Sequence, residues 1–198
     1  MADSLKVLIV MLPVIVAGVT HSLAIRFNLL PALAKPLDFG LCLHGKPLLG
    51  ANKTFRGPAI MIAVAAISAW ALSFALRADW LPPGFGFMLQ PGPAFVLGAV
   101  MGLGYVLGEL PNSLIKRRLG IAAGGRPGGI AGRIGYVCDQ VDSVTGVILL
   151  LWLIYAPSAS VLLALLAAGS LVHVVFDQCL YVFGVKRSEG LSAGRVRA

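Results

Sequence analysis

Residues 136–155 read YVCDQVDSVTGVILLLWLIY. The second half of this stretch is continuously apolar, and about twenty residues of α-helix are enough to cross the hydrocarbon layer of a bilayer. A helix also closes its backbone hydrogen bonds internally, as a lipid environment requires. Two acidic residues, Asp139 and Asp142, lie near the start of the stretch. The stretch therefore predicts a transmembrane helix with two carboxylates close to one membrane surface.

Four further stretches have the same apolar character. The chain is 58% hydrophobic and only 12% charged, whereas soluble domains are about a quarter charged. A soluble fold of 198 residues cannot enclose so much apolar surface. We therefore predict an all-α integral membrane protein that forms a single transmembrane domain. The five predicted spans cover residues 5–30, 59–76, 95–114, 136–155 and 160–184.

The first span has an alternative interpretation, because residues 7–19 have the length of a signal-peptide core. The residues before this core supply only Lys6 as a cation, against Asp3, and the apolar stretch continues past any clear cleavage site. We therefore interpret residues 5–30 as a retained span.

Basic residues are concentrated in two predicted loops. Residues 31–58 contain four lysines and arginines against the single acid Asp38, and residues 115–135 contain five with no acid. The positive-inside rule places both loops and the C-terminus in the cytoplasm and the N-terminus outside, which an odd number of spans requires. Topology and contact with anionic lipid account for the net charge of +8. No nucleic-acid-binding module is recognisable, so we predict no nucleic-acid partner.

Asp139 and Asp142 are separated by three positions and therefore project from one face of a helix. Two carboxylates so close repel each other unless a cation neutralises them, and hard oxygen ligands suit Mg²⁺ together with phosphate. The alternative is that the helix dipole alone favours acids near a helix start, but this explains one acid better than two. We predict that both aspartates are Mg²⁺ ligands.

A polar stripe follows the third span, where Glu109, Asn112 and Lys116 recur at helical spacing. Lys116 continues the stripe and is predicted to point inward toward a phosphate. Arg117 and Arg118 complete a basic cluster that is equally typical of a stop-transfer signal. The glycine pairs at 98/102 and 104/108 in the same span are typical of close helix contacts.

The first basic loop ends with Asn52-Lys53-Thr54-Phe55-Arg56-Gly57. Free backbone amides at a helix start, together with Lys53, Thr54 and Arg56, favour phosphate binding. The segment is not a Walker A loop, because the required glycine–lysine spacing and a preceding strand are absent.

Three segments together resemble the CTP-dependent phosphatidate cytidylyltransferases, and more closely their archaeal branch, the CDP-archaeol synthases. They are the segment from Asn52 to Gly57, the segment Ser113-x-x-Lys116-Arg117, and the segment Asp139-x-x-Asp142-Ser143. Two departures from the bacterial pattern favour the archaeal branch: the Arg126-Pro127-Gly128-Gly129 stretch lacks a histidine, and Gln140 replaces an arginine.

The resemblance implies a transmembrane enzyme of the cell membrane that transfers CMP from CTP to a lipid phosphate and releases pyrophosphate. For the archaeal branch the acceptor is 2,3-bis-O-(geranylgeranyl)-sn-glycerol 1-phosphate and the product is CDP-2,3-bis-O-(geranylgeranyl)-sn-glycerol. The expected catalytic residues are Lys116, Asp139 and Asp142, the last two as Mg²⁺ ligands. The expected ligands of CTP and phosphate are Lys53, Thr54, Arg56, Asn112, Lys116 and Arg117.

Other functions stay open at this point. An ester lipid, phosphatidic acid, is an alternative acceptor. A small ion-coupled transporter that uses Glu109 and Asp177 is a second alternative, although it leaves Lys53, Thr54 and the aspartate pair unexplained. A CDP-alcohol phosphotransferase is a third, but its usual Asp-Gly-x-x-Ala-Arg motif is absent. The sequence assigns no role to His21, Arg26, His173 or Asp177, and no oligomeric state.

Overall fold

The computed structural model describes residues 3–123, 125 and 128–182, without the side chains of residues 3–5, 131, 177 and 179–182. All five predicted spans are helices that are long and apolar enough to cross a membrane. The prediction of a helical, multi-pass membrane protein is therefore confirmed. The side of the membrane that each loop faces stays a prediction. The helices are α1 (Asp3–Arg26), α2 (Arg56–Ser73), α3 (Pro91–Arg118), α4 (Gly129–Ile154) and α5 (Ala159–Val182).

The helix ends differ from the ends of the apolar stretches. The predicted loop of residues 115–135 is shorter than expected, because α3 continues to Arg118 and α4 begins at Gly129. Hydropathy detects only the apolar part of a helix, so it does not detect the basic last turn of α3. The cations in that turn are favoured by the helix dipole. The first apolar stretch continues to Leu30, yet α1 ends at Arg26. Asn28 and Leu30 adopt left-handed φ values of 49° and 53°, which end the helix.

The five helices form a closed ring in chain order, since each packs against the next and α5 returns to α1. Gly98 and Gly102 approach the backbone of α2 at Ala65 and Met61, so α2 and α3 are antiparallel. Gly104 and Gly108 contact the backbone of α4 in the same way, and only residues without a Cβ permit such close approach. The predicted role of both glycine pairs in helix contacts is confirmed.

The loop between α1 and α2 folds over one end of the bundle around the carboxylate of Asp38. This group accepts N–H hydrogen bonds from Gly40 (3.0 Å), Leu49 (2.7 Å) and Gly50 (3.3 Å). Burial raises the pKa of the Asp38 carboxyl, but these hydrogen bonds outweigh burial and hold the pKa below its ordinary value. A loop that supplies three donors to one carboxylate has a defined shape.

The same loop contains a short hairpin of β1 (Cys42–Leu43) and β2 (Lys46–Pro47). Its two central residues, His44 and Gly45, have positive φ values of 51° and 72°, as a tight hairpin turn requires. Arg118 at the end of α3 donates to the carbonyls of Leu43, Lys46 and Pro47. The end of α3 therefore fastens the hairpin to the bundle.

The other end of the bundle is closed by residues 78–90, which contain two short 3₁₀ turns, Ala78–Trp80 and Gly86–Leu89. A third such turn, Pro31–Leu33, follows α1. Phe85 and Met88 are fully buried there, and Phe85 packs edge-on against Tyr155 at the end of α4. This apolar closure leaves the end with the hairpin as the polar end of the molecule.

Candidate active site

The polar stripe of α3 faces the two aspartates of α4. The side-chain amide of Asn112 donates to Asp139 Oδ1 (2.6 Å) and to Asp142 Oδ2 (2.7 Å). Lys116, one turn further along α3, forms an ion pair with Asp139. Because one amide nitrogen contacts both carboxylates, their oxygens are close enough to share a single cation.

A second ion pair lies one turn deeper, between Lys53 of the first loop and Glu109 of α3. The hydroxyl of Ser143, which is fully buried, lies 3.5 Å from Glu109 Oε1 and 3.0 Å from Asp142 Oδ1. Hydrogen bonds therefore connect the first loop, α3 and α4 in one network, which we call the carboxylate cluster. Its members are Lys53, Glu109, Asn112, Lys116, Asp139, Asp142 and Ser143.

The position of the carboxylate cluster follows from the close packing of α3 and α4. A Cβ at Gly108 would meet the backbone carbonyl of Asp142, and a Cβ at Gly146 would meet the backbone of Gly104 and Gly108. Small residues on both helices thus allow short side chains such as Ser143 to reach across the interface.

The charges of the carboxylate cluster are not balanced. Three carboxylates face two ammonium groups, which leaves one excess negative charge when all five groups are ionised. In the part of the chain that the structure describes, no lysine or arginine pairs with Asp142, whose partners are Asn112 and Ser143. An excess negative charge at converging oxygens is the property of a cation site.

The donors present fit magnesium. Within the described residues, no three His, Cys, Asp or Glu side chains converge on one point, so a fully protein-enclosed metal site is not formed. Mg²⁺ is commonly bound by one or two carboxylates, with water and substrate phosphates completing its shell. Asp139 and Asp142 are the pair that could hold it, and both the binding of an ion by this pair and the identity of that ion stay predictions.

A cavity of about 410 Å³ with a mixed polar and apolar lining opens beside the carboxylate cluster, among α1, α2, α3 and the first loop. We call it the polar cavity because charged side chains line it. Asn52, Lys53 and Thr54 line it from the loop, and Glu109 lines it from α3. Lys53 and Thr54, two of the predicted phosphate ligands, therefore line the same cavity. Their contact with phosphate stays a prediction. His21 of α1 also lines the cavity, a location that the sequence did not indicate.

Two predicted phosphate ligands lie away from the carboxylate cluster. The guanidinium of Arg56 approaches the end of α1, 3.1 Å from the carbonyl of Leu29 and 3.4 Å from Asn28 Oδ1. Arg117 is buried and packs beside Gly50 of the first loop. In the structure both arginines contact other parts of the protein. That either of them contacts phosphate stays a prediction.

One partly buried hydrogen-bonded group was not predicted from the sequence. The hydroxyl of Tyr105 lies 2.9 Å from His173 Nε2, and His173 Nδ1 lies 3.2 Å from Gln140 Oε1. These residues are on α3, α5 and α4, so their contact depends on the order of the helices in the ring. In the sequence, the helical spacing of His173 and Asp177 was the only sign of a polar contact on α5. The side chain of Asp177 is outside the described residues.

The fold and site define a class of protein: a polytopic helical membrane protein whose acidic and basic side chains meet at one end of the bundle, beside a cavity lined by Lys53 and Thr54. Residues 3–189 match the model of the family described as "CarS-like: CDP-archaeol synthase". The chain belongs to this family. The predictions of a nucleotidyltransferase and of a cytidylyltransferase role in archaeal lipid biosynthesis are thereby confirmed.

Individual relatives agree with this placement. A CDP-archaeol synthase of Aeropyrum pernix is 30% identical over 185 residues, which cover 92% of this chain and 90% of the relative. One of Thermofilum pendens is 32% identical over 153 residues, which cover 76% of this chain and 64% of that longer relative. A solved intramembrane enzyme for archaeal membrane lipids biosynthesis is 26% identical, with a TM-score of 0.59. That match covers 86% of this chain and 91% of the solved one.

Proposed function

We propose that the protein transfers CMP from CTP to the phosphate of an archaeal ether lipid, 2,3-bis-O-(geranylgeranyl)-sn-glycerol 1-phosphate, and releases pyrophosphate. The observation that supports this most directly is Asp142, a half-buried carboxylate without a cationic partner among the described residues, set beside two lysines. The reaction joins two polyanions. A site that combines fixed cations with an unneutralised acidic pair is suited to that task.

Asp139 and Asp142 hold Mg²⁺ in this proposal. When bound, the ion shields the phosphate charge and polarises the α-phosphorus of CTP. Asn112 contacts both carboxylates and so fixes their separation. Ser143 holds Asp142 from the other side through its backbone N–H (2.6 Å) and its hydroxyl (3.0 Å).

Lys53, Lys116 and Thr54 bind phosphate oxygens in this proposal. Each lysine is paired with a carboxylate, but an ammonium group has three N–H donors and can bind a carboxylate and a phosphate together. Lys53 and Thr54 line the polar cavity and face the triphosphate, whereas Lys116 lies beside Asp139 at the point of transfer.

The bond changes need no strong base. An oxygen of the lipid phosphate forms a bond with the α-phosphorus of CTP, and the bond from that phosphorus to the pyrophosphate oxygen breaks. The attacking phosphate is already an anion, so no proton must be removed before the attack. The residues therefore act by orienting the two phosphates and by stabilising the charge on the pyrophosphate as it leaves.

We place the site on the cytoplasmic face of the cell membrane. The support is the concentration of lysines and arginines in the first loop and at the end of α3, which the positive-inside rule assigns to the cytoplasm. Both of these segments border the carboxylate cluster.

The test uses the purified protein in detergent with CTP labelled at the α-phosphate, Mg²⁺, and either the geranylgeranyl ether lipid or phosphatidic acid. We expect label to enter the ether lipid fraction and EDTA to abolish this transfer. Faster transfer to phosphatidic acid would contradict the proposed acceptor. Absence of transfer to both lipids, in protein with an intact thermal transition, would contradict the proposed reaction.

A further inference from the structure

A second cavity, of about 640 Å³, lies among α1, α3, α4 and α5. Its wall is almost entirely apolar and is contributed by all four helices. Representative wall residues are Met11 and Gly18 of α1, Met101 of α3, Val147 of α4, and Leu165 and Phe176 of α5.

The cavity is a partly open groove between the helices and not a sealed void. A groove with so few polar groups offers a water molecule too few hydrogen-bond partners to hold it. The chemistry of the wall therefore favours a hydrocarbon ligand.

The apolar cavity and the polar cavity share one wall residue, Tyr105. Tyr105 precedes Glu109 by one helical turn, a rise of about 6 Å. Its hydroxyl is held by His173, which lines the apolar cavity as well. The polar head of an elongated molecule could thus reach the carboxylate cluster while the apolar part of the molecule occupies the apolar cavity.

The length of the apolar cavity agrees with this arrangement. Its lining on α5 extends from Leu165 to Phe176, a rise of about 16 Å, or roughly half the hydrocarbon thickness of a bilayer. These residues belong to the candidate membrane span Ala159–Phe176, so the cavity lies within the apolar part of the bundle.

We propose that the apolar cavity binds one hydrocarbon chain of the lipid phosphate acceptor, and that Tyr105 marks the boundary between chain and headgroup. This inference rests on the proposed function, and it assigns acceptor recognition to α1 and α5. These two helices contribute no member of the carboxylate cluster.

Gly18 offers a direct test. It lines the cavity, and no atom lies within 4 Å of the position that its Cβ would occupy. The variant Gly18→Leu therefore adds an apolar side chain at the cavity wall, and its Cβ meets no atom of a neighbouring element. Gly92 is the matched control, because it is exposed near the start of α3, has equally open surroundings and does not line the cavity.

The experiment compares Gly18→Leu with Gly92→Leu on two acceptors, the geranylgeranyl ether lipid phosphate and a water-soluble short-chain analogue. We expect Gly18→Leu to raise the KM for the long-chain acceptor roughly tenfold or more, which corresponds to about 1.4 kcal/mol and to fewer than two displaced methylene groups. The KM for the short-chain acceptor and the affinity for CTP should match the control. Equal long-chain KM values for the two variants would overturn the inference.

A second measurement uses the wild-type protein and so does not depend on how the variants fold. A lipid phosphate with a photoreactive group in one chain is irradiated in complex with the protein, and labelled peptides are mapped. Labels on Gly18 and Val172, which line the cavity, support the inference. Labels confined to the exposed Leu163 and Leu171 overturn it. Failure of CMP transfer to both acceptors refutes the proposed function separately, because the photolabelling reports binding alone.

Discussion

The close packing of α3 and α4 predicts a specific effect of adding one methyl group. In Gly146→Ala the new Cβ would overlap the backbone carbonyl oxygen of Gly104 and would lie 2.6 Å from the Cα of Gly108, far inside a normal contact. Ordinary contacts of about 3.4 Å require the helices to separate by roughly 1 Å at these atoms. Overpacking of this kind typically costs about 1–3 kcal/mol.

The same displacement reaches the active site, because Asp142 lies one turn from Gly146. Misplacement of reacting groups by about 1 Å can lower turnover by roughly two orders of magnitude. We therefore expect Gly146→Ala to lower the melting temperature by roughly 4–8 °C for a loss of about 2 kcal/mol. CMP transfer should fall by about 10- to 100-fold.

The assay compares thermal unfolding and CMP transfer in detergent with the control Gly135→Ala. Gly135 is on the same helix, and no atom lies within 4 Å of its Cβ position. Alanine there should leave stability unchanged or raise it by up to about 1 kcal/mol. Gly146→Ala protein as stable and as active as Gly135→Ala protein would refute the packing argument.

Three further predictions concern the first loop and its anchors. Lys53→Met should raise the KM for CTP about 10- to 100-fold in steady-state kinetics, because it removes a phosphate donor and leaves Glu109 unpaired. Lys53→Arg should retain part of the affinity for CTP. The lowered pKa of Asp38 means that its carboxylate stabilises the loop fully above the ordinary value near 3.8. This contribution is lost as the pH falls through the still lower pKa of the folded state. Limited proteolysis of the loop should therefore accelerate at that low pH in the wild type, and already at neutral pH in Asp38→Asn. A wild-type cleavage rate that does not change with pH would contradict this. Arg118→Gln should expose the hairpin to proteolysis, whereas Arg133→Gln, an exposed arginine on α4, should not.

Hydropathy was sufficient to predict the number and approximate positions of the helices, since a chain in lipid must satisfy its backbone hydrogen bonds within each span. Helical periodicity was sufficient to predict that Glu109, Asn112 and Lys116 share a face, and that Asp139 and Asp142 do. The structure adds that these two faces meet.

The sequence did not predict contacts that depend on the arrangement of helices in the ring. The group formed by Tyr105, Gln140 and His173 joins three helices, and periodicity within one helix contains no information about its neighbours. The contact of the Arg56 guanidinium with α1 was not predicted for a related reason. Its guanidinium lies against the end of α1, and that end depends on the left-handed residues after Arg26, where the sequence is still apolar.

The central claim is that Asp142 and its neighbours bind Mg²⁺ for CMP transfer. The most direct measurement is the rate of CMP transfer by Asp142→Asn as a function of Mg²⁺ concentration. The isosteric amide keeps one acceptor oxygen, which can still accept the hydrogen bonds from Ser143, but it loses the hydrogen bond from Asn112, so the fold should persist with a modest loss of stability. Asp79→Asn is the control, because Asp79 is an exposed residue in the loop at the opposite end of the bundle.

We predict that Asp142→Asn unfolds within about 5 °C of the wild-type temperature. Its turnover should be lower by about 10²-fold or more, and higher Mg²⁺ concentrations should restore little of it. Asp79→Asn should keep full activity. Turnover of Asp142→Asn within about threefold of the wild type at saturating Mg²⁺ would contradict the claim.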